Sequence, residues 1–144
     1  MTQEELFREK SEHYLICYIN ECARHETCLR WLVGQQSKRD AIVTESVNPI
    51  NPEVREGKCP MYRENRKVSY AIGMMHFFEQ MTGSMERSIK NNLIHLFSRK
   101  RFYEYRNGTR PIPPEAQKTI ANVCKANGWT GELCYDGWED DFYW

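Results

Sequence analysis

The sequence of 144 residues lacks any apolar run that approaches the roughly 18 residues of a membrane span. Its first residues, 1–5, also lack the basic and apolar regions of a signal peptide. Six cysteines are too few for a disulfide scaffold, in which cysteine exceeds roughly 8–10% of the chain. We therefore expect a cytoplasmic protein with no membrane partner, in which clustered thiols serve metal binding or packing rather than cross-linking.

The recurring motifs of catalysis are missing as well. The chain has no phosphate-binding glycine loop, no H-E-x-x-H motif, no nucleophile elbow and no deaminase pattern. Asp140 and Asp141 are adjacent, a spacing that suits neither an acid–base pair nor a nuclease site without other carboxylates nearby. His76 and His95 lie near apolar residues at helical spacing and are interpreted as structural. These absences favour a protein that is not an enzyme.

Positive and negative charges balance over the whole chain, but they are segregated along it. Residues 85–128 contain nine Lys or Arg and three Asp or Glu, whereas residues 129–144 contain five Asp or Glu and no Lys or Arg. A basic block followed by an acidic tail indicates a possible nucleic-acid-binding segment. The alternative is a solvated helical face whose charge the tail neutralises.

Hydrophobic periodicity predicts a mainly α fold with at most a short strand or hairpin. Thr2 and Glu5 have the spacing of a capping box, which would open a helix that extends to about Tyr18. The β-branched residues within 41–44 predict a short strand. Apolar residues at helical spacing predict three helices after Ser69. Their members are Tyr70, Met74, Phe77, Phe78 and Met81, with a stop at Gly83; Ile89, Leu93, Leu96 and Phe97; and Ala116, Ile120, Val123 and Cys124.

Two regions follow from this pattern. Residues 1–66 form an irregular, Cys-rich region that we expect to be braced by a metal. Residues 67–144 form a helical region that ends in an acidic, aromatic tail. We expect the two regions to pack as one small compact domain.

Four cysteines have a spacing that suits a metal site. Cys17, Cys22, Cys28 and Cys59 give the pattern C-x4-C-x5-C-x30-C-P. Structural zinc sites hold the ion tetrahedrally with four such ligands, so we expect a closed, structural Zn²⁺ site. Two alternatives remain open. An iron–sulfur cluster also takes four cysteines, and buried thiols can pack simply as small apolar side chains.

Residues 98–123 resemble one part of the repressor-type helix-turn-helix family. The matching positions are Ser98 as a helix cap, Asn107-Gly108 as the helix end, Arg110 in a basic linker, Pro114-Glu115 as the next helix start, and Ile120-Ala121 in a core stripe. The match weakens upstream, where Asn92 and Leu96 occupy the positions of a small residue and a turn glycine. The two-helix unit therefore needs a gap or is absent.

This resemblance implies a set of nucleic-acid-binding residues. Arg99, Lys100 and Glu104 would face base edges, while Arg101 and Asn107 would contact phosphates. Arg110 is also among the expected nucleic-acid-binding residues. An excess of positive charge in this segment would neutralise phosphates and release counterions. Tyr103 and Tyr105 could stack on bases, or they could pack on the core.

Several features together resemble a larger group. They are the cysteine pattern, the Asn-Pro loop before Cys59-Pro60, the Tyr103-x-Tyr105-Arg-x-Gly turn and the acidic aromatic end. Over nearly the whole chain, the sequence resembles an uncharacterised family of small bacterial proteins that is classed only as a domain of unknown function. The resemblance implies a shared metal site at the four cysteines, and it implies no established activity.

The sequence as a whole predicts a zinc-binding cytoplasmic protein whose helix-turn-helix-like C-terminal half binds DNA and acts as a regulator. One alternative is a metal-stabilised module that binds a protein partner, and another is an iron–sulfur sensor. A further hypothesis lets the tail, 138–144, lie across the basic segment and lower its affinity for DNA. The sequence does not indicate an oligomeric state.

Overall fold

The computed structural model describes residues 1–56 and 58–144 and divides the chain into two compact units. The first unit consists of Met1–Arg66 together with Tyr143–Trp144, and the second consists of Lys67–Phe142. Gly57 lies outside the described residues. Within the described part of the chain, no helix has the length and the apolar character needed to cross a membrane.

The first unit has little regular structure. It contains the helices α1 (Gln3–Lys10) and α2 (Leu29–Gly34) and two 3-10 turns (His25–Thr27 and Pro52–Val54). The predicted capping box is confirmed, because Glu5 N donates to Thr2 Oγ1 over 3.2 Å and Thr2 N donates to Glu5 Oε2 over 2.8 Å. This pair fixes where α1 begins, since it satisfies backbone donors that a helix start leaves unpaired.

Helix α1 ends at Lys10, well before the predicted limit near Tyr18. The residues that follow form backbone hydrogen bonds with distant segments instead of helical ones. Cys17 N donates to Arg30 O over 3.0 Å, and Val47 N donates to Ile16 O over 2.9 Å. These bonds hold the chain in an irregular path that a helix would not allow. The helix start is a local feature, whereas its end depends on tertiary partners.

The strand predicted for residues 41–44 is wrong. No strand forms there, and the β-branched side chains are open to solvent, with Ile42 99% and Val43 86% exposed. A residue just beyond, Ser46, forms an isolated parallel bridge with Ile16. β-branched residues favour a strand only where a neighbouring strand and a packing surface exist, and this segment has neither among the described residues.

The second unit combines a small sheet with three helices. In chain order these are β1 (Lys67–Ile72), α3 (Gly83–Phe97), α4 (Arg99–Asn107), α5 (Pro114–Ala126) and β2 (Gly137–Phe142). The two strands pair antiparallel, with Lys67 opposite Phe142 at one end and Ile72 opposite Gly137 at the other. The core of this unit is formed by buried residues from β1, the turn after it, the connection between α4 and α5, and all three helices: Ala71, Met74, Phe77, Phe78, Ile89, Leu93, Phe102, Tyr105, Ile112, Ala116, Ile120 and Cys124.

The helix predicted from Ser69 onward is wrong. Tyr70 belongs to β1, and the apolar residues after it lie in an irregular turn. Gly73, with φ +80°, ends the strand, and the Asp136 carboxylate accepts hydrogen bonds from Met75 N (2.8 Å) and His76 N (3.2 Å). The apolar spacing that imitates a helix arises because strand and turn both direct side chains into the same core.

The mainly α assignment is therefore corrected. Helical residues make up 40% of the chain and strand residues 12%, with a two-stranded antiparallel sheet whose strands are remote in sequence. The expected metal brace is also corrected. Among the described residues, no group of three or more His, Cys, Asp or Glu side chains is arranged to hold a metal ion. Hydrogen bonds and packing, described below, join the segments of the first unit.

The helices of the second unit follow their local signals closely. Thr82 caps α3 through a hydrogen bond from Met85 N, so Gly83 begins this helix rather than ending an earlier one. Ser98 caps α4, and Gly108, with φ +78°, ends it as predicted. Pro113-Pro114 and Asn127-Gly128 bound α5, also as predicted.

Candidate metal centre and cationic helix face

Three segments of the first unit bring the four predicted cysteines to one small cavity. Cys17 and Cys22 come from the first segment, Cys28 from the residue before α2, and Cys59 from the segment that precedes β1. The cavity has a volume of about 20 Å³. This is just above the roughly 10–15 Å³ that a single water molecule requires. The cavity therefore has room for about one water-sized species.

Backbone hydrogen bonds position these cysteines. Cys28 is the residue opposite Glu64 in an isolated antiparallel bridge, and Leu29 N donates to Arg63 O over 2.7 Å. Cys59 opens a turn in which Tyr62 N donates to its carbonyl over 3.2 Å. The bridge and the turn hold two of the cysteine positions without any help from a ligand.

Arg30 connects the segments that carry Cys17 and Cys59. Its Nε donates to Met61 O over 2.6 Å, and its Nη1 donates to Leu15 O over 2.9 Å. The guanidinium also lies over the ring of Tyr14, with Cζ 4.8 Å from the ring centroid. Nothing in the cysteine spacing predicted this role. The one available signal is a cation placed next to the apolar residues of α2.

The thiols lie in a partly apolar setting. Cys17, Cys22 and Cys59 pack against a small cluster of buried aliphatic side chains, and Cys28 is itself buried. Burial raises the pKa of the Cys17 thiol above its ordinary value, which opposes ionisation, although Ile19 N donates a hydrogen bond to its sulfur over 3.5 Å. These surroundings give the packing interpretation of the cysteines a structural basis.

Two histidines close to the cysteines in sequence, His13 and His25, are candidate additional ligands, and they line different cavities. His25 lines the same cavity as the cysteines, where its Nδ1 lies 2.8 Å from Cys22 O and its ring packs against Trp31. His13 lines a different, open cavity beside Ser11 and Lys38. The possible metal ligands that line the cysteine cavity are therefore four thiols and one imidazole.

The remaining two cysteines belong to the second unit. Cys124 is buried in its core, where burial raises the pKa of the thiol to about 11. Cys134 is exposed. Neither residue lines the cavity of the first unit.

The predicted nucleic-acid-binding residues lie on α4 and just beyond it. Arg99, Lys100, Arg101 and Asn107 are exposed. Glu104, however, is paired with another member of the set, because Arg110 Nε lies 2.5 Å from its Oε2. This hydrogen bond is the main cause of a lowered pKa of the Glu104 carboxyl. The pair leaves the exposed cations of the first turn as the dominant charge of the helix.

The connection between α3 and α4 differs from a helix-turn-helix. One residue, Ser98, separates the two helices, and it has φ +85°. A helix-turn-helix has a turn of about three to four residues, which gives the crossing of its helices. The sequence match therefore covers the cap and the end of a single helix, not the two-helix unit.

The acidic tail is part of the sheet. Residues 137–142 pair with β1, and Ser69 Oγ donates to Asp140 Oδ1 over 2.5 Å. Tyr143 and Trp144 belong to the first unit, where Arg63 and Arg66 both lie over the Tyr143 ring. A strap across the basic segment would require this strand to detach.

These features define a small protein of two compact units, one with a cysteine-lined cavity and one that packs helices on a two-stranded sheet. The chain belongs to a family of unknown function (DUF6078), whose model matches residues 1–144. The family resemblance seen in the sequence is thereby confirmed, and the helix-turn-helix resemblance receives no support. No curated protein and no solved structure matches the chain.

Proposed function

We propose that the first unit binds one Zn²⁺ ion through Cys17, Cys22, Cys28 and Cys59. The observation that supports this is their position around one cavity with the volume of a single small ion. Four cysteines form a donor set that suits zinc, because thiolates are soft, charged ligands. The same volume favours a single ion over an iron–sulfur cluster, which needs room for several atoms.

Charge around the cavity also suits a bound ion. Four thiolates around one divalent cation leave a net negative charge, and Arg30 lines the same cavity. Its guanidinium would offset that charge at close range. Binding requires the thiol side chains to turn toward the cavity and lose their protons, because they are not grouped as ligands in the described residues. A cytoplasmic location belongs to this proposal, since thiols stay reduced there.

In this proposal the ion binds to a fold that forms without it. Arg30 and the bridge at Cys28 already join the segments that carry the cysteines. The ion then adds stability by mass action, about 4 kcal/mol when its free concentration is roughly a thousand times its dissociation constant. This differs from a zinc finger, which is unfolded without its metal.

Metal analysis of protein purified under reducing conditions tests the proposal. We expect one zinc per chain in the wild type and in the control Cys134→Ser, and a loss of zinc in Cys17→Ser and Cys59→Ser. Cobalt substitution should give the absorption of a thiolate-ligated tetrahedral ion in the wild type and in Cys134→Ser, and not in the other two variants. If the reduced, folded wild type takes up neither zinc nor cobalt, the zinc proposal is contradicted, and the cysteines serve as buried apolar side chains. A brown protein that contains iron would favour the cluster instead.

A second function is supported by the charge on α4, and we infer that this helix binds nucleic acid. Arg99, Lys100 and Arg101 are exposed in its first turn, where the helix dipole makes cations unfavourable. Three consecutive cations in the first turn of a helix are consistent with an anionic partner. Their contacts with phosphates would release counterions and make the affinity fall steeply with salt.

Binding to a labelled duplex across a salt series tests this second function. Replacement of the three cations by Ala should lower the affinity and reduce the slope of log K against log salt by about 0.9 for each phosphate that is no longer neutralised. The matched control replaces Lys118 and Lys125, which are exposed on α5, and should change the slope less. Folded protein that binds neither duplex nor single strand at low salt would contradict this function and leave a protein partner as the alternative.

A further inference from the structure

We propose that the exposed face of α4 holds single-stranded nucleic acid by stacking a base on Tyr103 beside the cations Arg99 and Lys100. This inference rests on the proposed nucleic-acid function and names its substrate class. It commits to one occupant, a polyanion with accessible base faces, because the surface combines positive charge with an aromatic ring.

The helical repeat places the relevant side chains together. Arg99, Tyr103 and Asn107 are spaced at i, i+4 and i+8, so they form one row along α4, and Lys100 lies beside this row. All four residues are exposed. The opposite side of the helix is buried through Phe102 and Tyr105. The row is therefore the outward face of a helix whose inner face is fixed in the core.

The two candidate tyrosines have different environments. Tyr105 is 5% exposed and packs against Phe97, whereas Tyr103 is 37% exposed. The Tyr103 ring contacts Phe102 edge to face, with centroids 5.2 Å apart. No hydrogen bond of its hydroxyl is found in the described part of the chain. Tyr103 thus presents part of an aromatic ring to solvent, whereas Tyr105 does not.

The charge of this face is positive because its one carboxylate is neutralised. Glu104 is the only acidic residue of α4, and it is paired with Arg110 at 2.5 Å. Lys100 Nζ approaches the same carboxylate at 4.0 Å but remains highly exposed. Cations next to an aromatic ring provide phosphate contacts and base stacking together, which is the pattern of proteins that bind single strands.

The single strand is favoured over a duplex for two reasons. A duplex buries the faces of its bases, so Tyr103 could not stack on them without unstacking the helix. The one-residue connection at Ser98 also lacks the turn that orients a recognition helix in the major groove. Stacking on a splayed base needs only the exposed ring and the cations beside it.

Fluorescence anisotropy with labelled oligothymidine, oligouridine and a duplex of equal length tests the proposal. We expect both single strands to bind more tightly than the duplex at the same salt concentration. Tyr103→Ala should weaken single-strand binding about ten-fold with an unchanged salt slope, and Tyr103→Phe should retain the wild-type affinity. Oligouridine bound more tightly than oligothymidine would identify RNA as the preferred source.

Two controls keep the result interpretable. Tyr18→Ala removes a tyrosine of similar exposure, 43%, in the first unit and should leave binding unchanged. Tyr103→Leu keeps an apolar side chain against Phe102, so it separates loss of stacking from loss of packing, with helix content checked by circular dichroism. Equal binding of duplex and single strand, or wild-type affinity in Tyr103→Ala, would overturn the single-strand inference but leave the nucleic-acid function. No binding to any of the three probes would overturn both.

Discussion

Arg30 Nε donates a hydrogen bond of 2.6 Å to the carbonyl oxygen of Met61, a residue 31 positions further along the chain. The same guanidinium bonds the carbonyl of Leu15, so a single side chain joins three segments of the first unit. A charged donor that satisfies two backbone acceptors contributes more than a neutral hydrogen bond does.

We expect Arg30→Ala to lower the free energy of unfolding of the first unit by about 2–3 kcal/mol, because two carbonyl oxygens lose a charged donor. Urea unfolding in the presence of a chelator measures this without a contribution from metal. Arg39→Ala, an exposed cation of the same unit, is the control and should change stability little. Equal midpoints for Arg30→Ala and the wild type would contradict the role of Arg30.

Trp144 should stabilise the N-terminal helix. Its ring lies 6.1 Å from that of Phe7 and 5.5 Å from that of Tyr14, both in edge-to-face geometry, and Lys10 Nζ lies 4.6 Å above it. We expect Trp144→Ala to reduce the hydrogen-exchange protection of α1 by about 1–2 kcal/mol. Trp138→Ala, an exposed tryptophan of the second unit, should leave that protection unchanged, and similar exchange in both variants would argue against this contact.

Two glycines with positive φ separate backbone strain from steric conflict. A Cβ at Gly73 would lie 2.5 Å from Asp136 Oδ2, whereas a Cβ at Gly128 would meet no atom within 4 Å. Gly128→Ala should therefore cost about 1 kcal/mol, the strain of the left-handed conformation alone. Gly73→Ala should cost clearly more, because the carboxylate that accepts Met75 N and His76 N must also move. Equal losses in thermal unfolding would show that Asp136 relaxes freely.

His76 should titrate above the ordinary value for histidine. Its Nδ1 lies 2.6 Å from Glu79 Oε1, and this hydrogen bond raises the pKa of the imidazole. A raised pKa in the folded state means that the pair favours the fold while His76 is protonated, below its unfolded pKa near 6.5. The contribution is lost as the pH rises through the folded pKa.

NMR titration of the His76 ring measures this pKa directly. Glu79→Gln should bring it back toward 6.5, because the amide carries no charge to stabilise the imidazolium. His76 and Glu79 line a small cavity together with Glu132. Glu132→Gln removes this other carboxyl group and should leave the His76 titration unchanged. A pKa that is the same in Glu79→Gln and the wild type would contradict the pairing.

The sequence predicted best what depends on neighbours along the chain. The cap at Thr2, the left-handed Gly108 and the proline start of α5 each satisfy helix-end groups through local geometry. β1 was missed because its partner, β2, lies far along the chain in a segment interpreted as an acidic, aromatic tail. The exposed residues Ile42 and Val43 gave the opposite error, since their β-propensity has no strand to pair with.

In the candidate sites too, the sequence predicted local features better than those that depend on distant residues. The spacing of Cys17, Cys22, Cys28 and Cys59 predicted a shared metal site; the four residues line one cavity, and the metal stays a prediction. The arginine that joins their segments could not be predicted, because its acceptors are backbone carbonyls that every residue possesses. On α4, the sequence marked the cations but could not tell the exposed Tyr103 from the buried Tyr105.

Along the chain, the second unit is an insertion into the first, between Arg66 and Tyr143. The pairing of β1 with β2 places the two ends of this insertion side by side. Lys67 is paired with Phe142 in the sheet, and just outside it Tyr143 N donates to Arg66 O over 2.9 Å. A short glycine linker from Arg66 to Tyr143 would therefore excise the insertion and leave the host unit closed, since a short loop costs little entropy when its ends already touch. Each of the two units thus has its own pair of chain ends held side by side by backbone pairing.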